Sequence, residues 1–324
     1  MGQTTKIEWC DHTWNPWRGC AKVSPACDHC YAERQALRNP AVLGQWGDSG
    51  TRTHASAAYM DLPYRWNRAA RKAGVRRRVF CGSLMDFFED NMQIESDRRR
   101  AWQVIQDCTA LDWLLLTKRP KNFARMLPWC DGSDVRVRPH VWLGVTVENQ
   151  AMADERIPLL LGAPAAVRFL SCEPLVGPIS FRWAPWTKPA VYPDGGSTES
   201  HLDGMRGIDW VITGGESGRD ARPMHPGWVG GLRNQCQAAG VPFFFKQWGE
   251  WLPFHDIGGP EGDGVKFSVP DSTPVCLVKP YGRVIRPYCG NDAPGQQMAR
   301  VGKKLAGCKL DGREWKEIPS PLPF

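Results

Sequence analysis

The sequence predicts an α/β fold, a partial or full βα barrel with a C-terminal cap region. Short runs rich in β-branched, leucine and aromatic residues recur along the chain and alternate with helical patterns. Most of these runs are apolar on both faces, as are strands of a parallel sheet buried under helices. Ionisable residues follow each run, and in a barrel of parallel strands those ends face a common mouth where chemistry sits.

The strand candidates are residues 78–81, 113–117, 141–147, 167–171, 210–213 and 242–245. Between the first two, residues 95–108 set Trp102, Val104 and Ile105 among arginines and glutamines, the pattern of an amphipathic helix. Arg119-Pro120 opens a second helix, with proline in the first turn. His225-Pro226-Gly227-Trp228 opens another, which runs through Leu232 and Cys236 to Ala239-Gly240, where the glycine is a natural stop. This alternation argues for βα units on one parallel sheet. Residues 178–207, rich in Pro, Gly, Ser and Thr, read as an insertion in a barrel covering 1–250. Residues 251–324 show no clear βα unit and read as a cap or small subdomain.

With 324 residues, 42% of them hydrophobic and 23% charged, the chain can bury a sizeable core and is not a disordered polymer. Its longest apolar runs, such as 113–116 and 243–245, fall far short of the roughly 20 residues of a membrane span. The N-terminus has no apolar signal core, so a cytoplasmic protein without a membrane partner is expected. A net charge of +7 permits a polyanionic partner without demanding one. Arg76-Arg77-Arg78 and Arg98-Arg99-Arg100 are the densest basic runs and can track phosphates. The second lies inside a predicted helix and reads more simply as a solvated face. The 16 tryptophans, among them Trp14, Trp17, Trp183, Trp186, Trp248 and Trp251, serve packing as readily as base stacking.

Twelve cysteines in a chain without an export signal argue against a disulfide framework. Cys20, Cys27 and Cys30 are spaced C-x6-C-x2-C in a Gly/Pro-containing loop. Thiolates so close can converge on one centre, and soft thiolates select zinc or iron–sulfur. A structural zinc wants four ligands, with Cys10, His12 and His29 the nearest candidates to complete it. An iron–sulfur cluster held by three cysteines leaves one iron open to a substrate or cofactor. The spacing leaves both readings standing. The strand-end residues are Asp86 after Cys81-Gly82-Ser83, Lys118 after Thr117, Glu148 after Thr146, Glu173 after Ser171-Cys172, Glu216 after Gly214-Gly215, and Lys246 after Phe245.

Several motifs together carry a family resemblance: Trp9, Asn15-Pro16, the Cys20/Cys27/Cys30 loop continuing as Tyr31-Ala32-Glu33, Gly214-Gly215-Glu216-Ser217-Gly218 with Ala221-Arg222-Pro223-Met224, and Phe244-Phe245-Lys246-Gln247-Trp248-Gly249. They resemble a phage-associated family known by its three-cysteine motif and a domain of unknown function. The resemblance runs from Lys6 to the Gly-Arg-Glu-Trp at 312–315. More distantly, the chain is similar to radical S-adenosylmethionine enzymes, particularly the spore-photoproduct-lyase-like branch.

That likeness implies a barrel of the radical-SAM type. It implies a 4Fe-4S cluster ligated by Cys20, Cys27 and Cys30, with S-adenosylmethionine bound at the open iron. Reductive cleavage of that cofactor would yield a 5′-deoxyadenosyl radical, the electron coming from an external donor. His29 occupies the place of an aromatic that usually lies near the adenine. Ser83 and Asp86 match the place where the methionine amino group or ribose is contacted, and Thr117, Gly214 and Gly215 join them as candidate cofactor contacts. Lys118, Glu148, Glu173, Glu216 and Lys246 would face the substrate. Cys172 is a candidate hydrogen donor, and equally an ordinary buried thiol. Two departures stand: the commonest spacing in the superfamily is C-x3-C-x2-C, and Gly214-Gly215-Glu216 lies on a later strand than the superfamily's amino-group motif. The implied substrate is a nucleic-acid base or nucleotide. The alternative is a non-catalytic zinc or iron–sulfur protein that binds nucleic acid or a partner protein.

Overall fold

The apolar runs form strands, each within two residues of its expected bounds. The computed structural model describes residues 5–130, 137–182, 190–191, 197–198, 203–256, 273–285 and 295–320. Trp183, Trp186, much of the expected insertion and the Gly/Pro-rich residues 257–272 lie outside them. Seven strands make one sheet: β1 (His12–Trp14), β2 (Arg77–Cys81), β3 (Leu111–Thr117), β4 (Val141–Thr146), β5 (Val167–Cys172), β6 (Trp210–Gly214) and β7 (Phe243–Gln247). Their order in the sheet is their order in the chain. The pairings β1–β2, β2–β3, β3–β4 and β6–β7 are parallel. Because β1 and β7 do not pair with each other among the described residues, the series is that of a partial barrel, not a closed one. β1 escaped the sequence reading because it is only three residues long and carries His12 and Thr13.

The longer helices are α1 (Tyr31–Arg38), α2 (Leu62–Ala73), α3 (Glu95–Asp107), α4 (Gln150–Leu161) and α5 (Pro226–Ala239). α5 starts and stops on the expected signals. His225 caps it, its Nδ1 accepting from the Gly227 amide at 2.9 Å, and Gly240 ends it with φ +66°. The helix expected from Arg119-Pro120 is shorter, a 3-10 turn Pro120–Asn122 followed by Phe123–Met126. β3 and β4 are buried on both faces, β2 only over Val79–Cys81, and Trp14, Trp113 and Trp142 are fully buried.

Beyond residue 250 the paired strands of the described residues are antiparallel. β8 (Trp251–Pro253), β9 (Val275–Val278), β10 (Val284–Ile285) and β11 (Gln296–Arg300) form an antiparallel sheet in the order β8-β11-β9-β10. Residues 315–317 then run beside β7. The Phe245 amide donates to the Trp315 carbonyl at 2.8 Å, and the Glu317 amide to the Phe243 carbonyl at 3.2 Å. Two compact units result. One comprises Met1–Thr146, Arg156–Phe169 and Pro319–Phe324, the other Val147–Glu155 and Leu170–Ile318. No helix among the described residues is long and apolar enough to cross a membrane.

The basic runs are not uniformly solvated. Arg98, expected on a solvated face, is buried: its guanidinium donates to the carbonyls of Phe87 and Glu89 and to Glu95. Helix α3 turns that position inward, and the backbone carbonyls there supply acceptors that make burial of the charge tolerable. Arg76 pairs with Asp112, while Arg77 and Arg78 pair with Asp11.

Candidate functional site

In the first unit the cysteine loop is fastened to the C-terminal ends of β1 and β2. Asn15, the residue after β1, donates through Nδ2 to Ser83 Oγ at 2.9 Å and accepts the Leu84 amide at 2.8 Å. The Gly19 amide donates to the Leu84 carbonyl, and Tyr31 Oη to the Ser83 carbonyl at 2.5 Å. Ser83 therefore serves the loop's attachment. Pro25–Cys27 is a 3-10 turn, and Cys30 is the residue from which α1 starts. Cys30 packs against Ala32, Ala36, Leu43 and Leu84, an apolar shelter for a thiol.

Cys20 meets a buried charge network. Arg119 Nη1 lies 3.5 Å from Cys20 Sγ and 2.9 Å from Asp86 Oδ2, and its Nη2 donates to the Ala21 carbonyl at 2.9 Å. Asp86 also accepts from Thr117 Oγ1 at 2.6 Å and from the amides of Phe88 and Lys118, both at 3.0 Å. Glu89 receives Arg52 at 2.6 and 2.9 Å. Asp86 and Thr117 thus tie the ends of β2 and β3 together, with their polar atoms engaged by protein. Burial pushes the Cys20 thiol up to about 12 against the opposing pull of Arg119. Burial would lower Arg119, but Asp86 and Cys20 beside it hold its pKa above the ordinary value, so the guanidinium stays charged.

The three sulfurs share one loop, yet no three His, Cys, Asp or Glu side chains among the described residues are gathered to hold a metal ion. Cys10 precedes β1, whereas the loop follows it, and the Cys10 thiol faces the Ile7 carbonyl at 3.8 Å. His12 stacks on Trp66 with ring centroids 4.3 Å apart. His29 is half-buried in the loop, and its carbonyl accepts from Arg34 at 2.8 Å.

The second unit brings another group together. Lys246 Nζ on β7 lies 2.5 Å from Glu173 Oε1, directly after β5. Burial raises the Cys172 thiol to about 12, with the Thr213 hydroxyl lowering it and Glu148 raising it further. Glu148 is fully buried. A side chain on Gly214 would touch Glu173 at 3.5 Å. At Gly215 and Gly249 two backbone segments approach closely. A Cβ on Gly215 would stand 1.9 Å from the Trp248 carbonyl oxygen, and one on Gly249 would stand 2.1 Å from that of Glu216. Gly214-Gly215-Glu216 and Gln247-Trp248-Gly249 are therefore two sides of one close backbone contact. Glu216 is buried and held by Arg222, whose Nη2 and Nε lie 2.7 and 3.0 Å away. That pairing makes it a loop anchor rather than a group open to solvent.

A family model for a protein of unknown function, DUF5131, matches residues 4–319. The chain belongs to that family. No curated protein and no solved structure matches it. The match spans both units of this DUF5131 chain, and it covers the cysteine loop and both glycine motifs.

Sequence reasoning missed Arg119, Arg52, Glu89 and Asn15 as site-building residues. In the sequence Arg119 is the residue before a helix-starting proline, and only its contact with Cys20, distant in sequence, gives it meaning. Asn15 was visible as Asn-Pro beside the loop, without a stated role.

Proposed function

We propose that this DUF5131 protein is a radical S-adenosylmethionine-type enzyme acting on a nucleic-acid base or nucleotide, with Cys20, Cys27 and Cys30 as ligands of a 4Fe-4S cluster. The observation carrying this reading is the attachment of the three-cysteine loop to the C-terminal ends of β1, β2 and β3, with Arg119 reaching Cys20 Sγ at 3.5 Å. The fit lies in the chemistry of the donor set. Three thiols sit on one loop, one of them under a guanidinium, and Cys10 lies on the far side of β1. Such a set leaves a metal position open. When bound, the cluster supplies the electron that cleaves a sulfonium carbon–sulfur bond.

The chain's own residues do the rest. Arg119 offsets the negative charge of a Cys20 thiolate while Asp86 fixes its orientation. Lys118, beside that network, and the Lys246–Glu173 pair offer a cation and a carboxylate to polar substrate groups. Cys172 keeps its proton at neutral pH, so it can donate a hydrogen atom. A cytoplasmic setting, an external electron donor and a partner protein complete the proposal.

Anaerobic reconstitution with iron and sulfide tests it. The expected result is a brown protein with about four irons per chain, releasing 5′-deoxyadenosine when given dithionite and S-adenosylmethionine. Cys20→Ala, Cys27→Ala and Cys30→Ala should each lose the iron, while Cys10→Ala retains it. A colourless protein holding one zinc, lost on Cys10→Ala, overturns the reading in favour of a non-catalytic zinc protein. A full cluster that never cleaves the cofactor leaves a structural or redox protein instead.

A further inference from the structure

Between residues 62 and 85 the chain has no Asp or Glu, while Arg65, Arg68, Arg71 and Lys72 lie on α2 and Arg76-Arg77-Arg78 lead into β2. The three strand arginines are paired with Asp112 and Asp11. The helix residues differ. α2 buries Pro63, Trp66, Asn67 and Ala70. At about 100° per residue, Arg65, Arg68 and Lys72 fall within about 60° of one another, on the side opposite that buried stripe. All three are exposed and have no hydrogen bond or ion pair to another described residue.

Nearby acids are already engaged. Asp61 binds Arg100 at 2.8 Å, Asp107 takes Tyr64 Oη at 2.7 Å and Gln103 at 2.8 Å, and Asp97 takes His54 at 2.5 Å. Arg71, on the flank of the stripe, donates to Thr109 Oγ1 at 2.8 Å. A solvent-facing helix surface ordinarily mixes both signs of charge. This one presents a single sign, and none of its three cations has a hydrogen bond or ion pair to an acid among the described residues.

We propose that the outer face of α2 binds the phosphate backbone of a polynucleotide. Arg65, Arg68 and Lys72 are strung along the helix with axial steps of about 4.5 and 6 Å, whereas a small anion would want donors converging on one point. A nucleic-acid strand is itself a linear series of negative charges, which a row of long, flexible side chains can follow. The face carries no large apolar residue to wedge between bases, which makes the contact one of backbone rather than sequence. It does not suit a lipid surface, because the apolar side of α2 is turned into the core instead of outward. The inference deepens the nucleic-acid part of the proposed function but does not need the cluster, so either can fail alone.

Fluorescence anisotropy with a labelled DNA duplex and the corresponding single strand, across a salt series, tests it on the full chain. The triple variant Arg65→Gln/Arg68→Gln/Lys72→Gln should bind the duplex about tenfold or more weaker at low salt, with a log–log salt slope shallower by roughly 2 to 3. A control, Arg38→Gln/Lys303→Gln/Lys304→Gln, removes the same charge from other exposed positions and should keep most of the slope. Unchanged thermal melts confirm that both triples are folded. An equal loss in both would mean that net charge alone acts, and would overturn the assignment. So would an unchanged slope in the α2 triple, or selective loss of binding to phosphatidylserine vesicles with oligonucleotide binding intact.

Discussion

Replacing Arg119 by methionine keeps most of the side chain's bulk and removes its charge. The Arg119 and Asp86 side chains are 8% and 7% exposed, so solvent cannot take over the lost contact. Removing one partner of a buried pair costs about 3–5 kcal/mol. The lower end applies, because Asp86 keeps the Thr117 hydroxyl and two amides, and Glu89 keeps Arg52. At roughly 2–4 °C per kcal/mol for a domain of this size, about 3 kcal/mol lowers the melting temperature by about 6–12 °C. Thermal and urea unfolding followed by circular dichroism measure it. The double variant Arg119→Met/Asp86→Asn should be less unstable than the sum of the single variants, since the second change removes the stranded carboxylate charge. A cost below about 1 kcal/mol for Arg119→Met, or strict additivity in the double variant, would refute the reasoning.

Other measurements follow from the same geometry. Gly215→Ala drives a methyl against the Trp248 carbonyl and should cost at least about 2 kcal/mol, while Gly231→Ala on α5, where a Cβ meets nothing within 4 Å, should be neutral or stabilising in the same melts. Lys246→Met breaks a pair whose side chains are 25% and 20% exposed, so unfolding should change by no more than about 1 kcal/mol. On the proposed function it should nevertheless abolish product formation. Burial lowers the pKa of His140, and likewise of His225, below the ordinary histidine value. The unfolded chain then protonates first, so their stabilisation is present above about pH 6.5 and is lost as the pH falls toward the lowered values. His140→Gln should flatten the acid limb of a stability–pH profile.

The barrel strands were legible because burial on both faces leaves a continuous apolar run, as at Leu111–Thr117. α5 was legible because His225-Pro226 and Gly240 mark its ends. The short β1 was not, since three residues with two polar side chains carry no periodicity. The cysteine loop could be read from spacing, but its anchoring could not: Asn15 acts on Ser83 and Leu84, and Arg119 acts on Cys20, across long stretches of chain. The Gly214-Gly215-Glu216 motif shows a subtler limit. Its letters did not reveal that Gly215 faces the Trp248 carbonyl or that the Glu216 carboxylate pairs with Arg222. A glycine needed for close backbone approach and one needed beside a ligand look the same in sequence. Arg98 likewise sat in an arginine run that hid its inward direction.

The run of residues 315–317 beside β7 has a consequence for synthesis. Phe243-Phe244-Phe245 is a β-prone aromatic segment whose outer hydrogen-bonding groups are taken by Trp315 and Glu317, with Lys316 bridging to Phe244. On a growing chain those partners emerge about 70 residues after Phe245. Strands paired with their immediate predecessors can assemble as they leave the ribosome, but this edge must wait until residues 315–317 have followed it. Until then it is an open template for another chain, and a stop shortly before Trp315 would leave it so permanently.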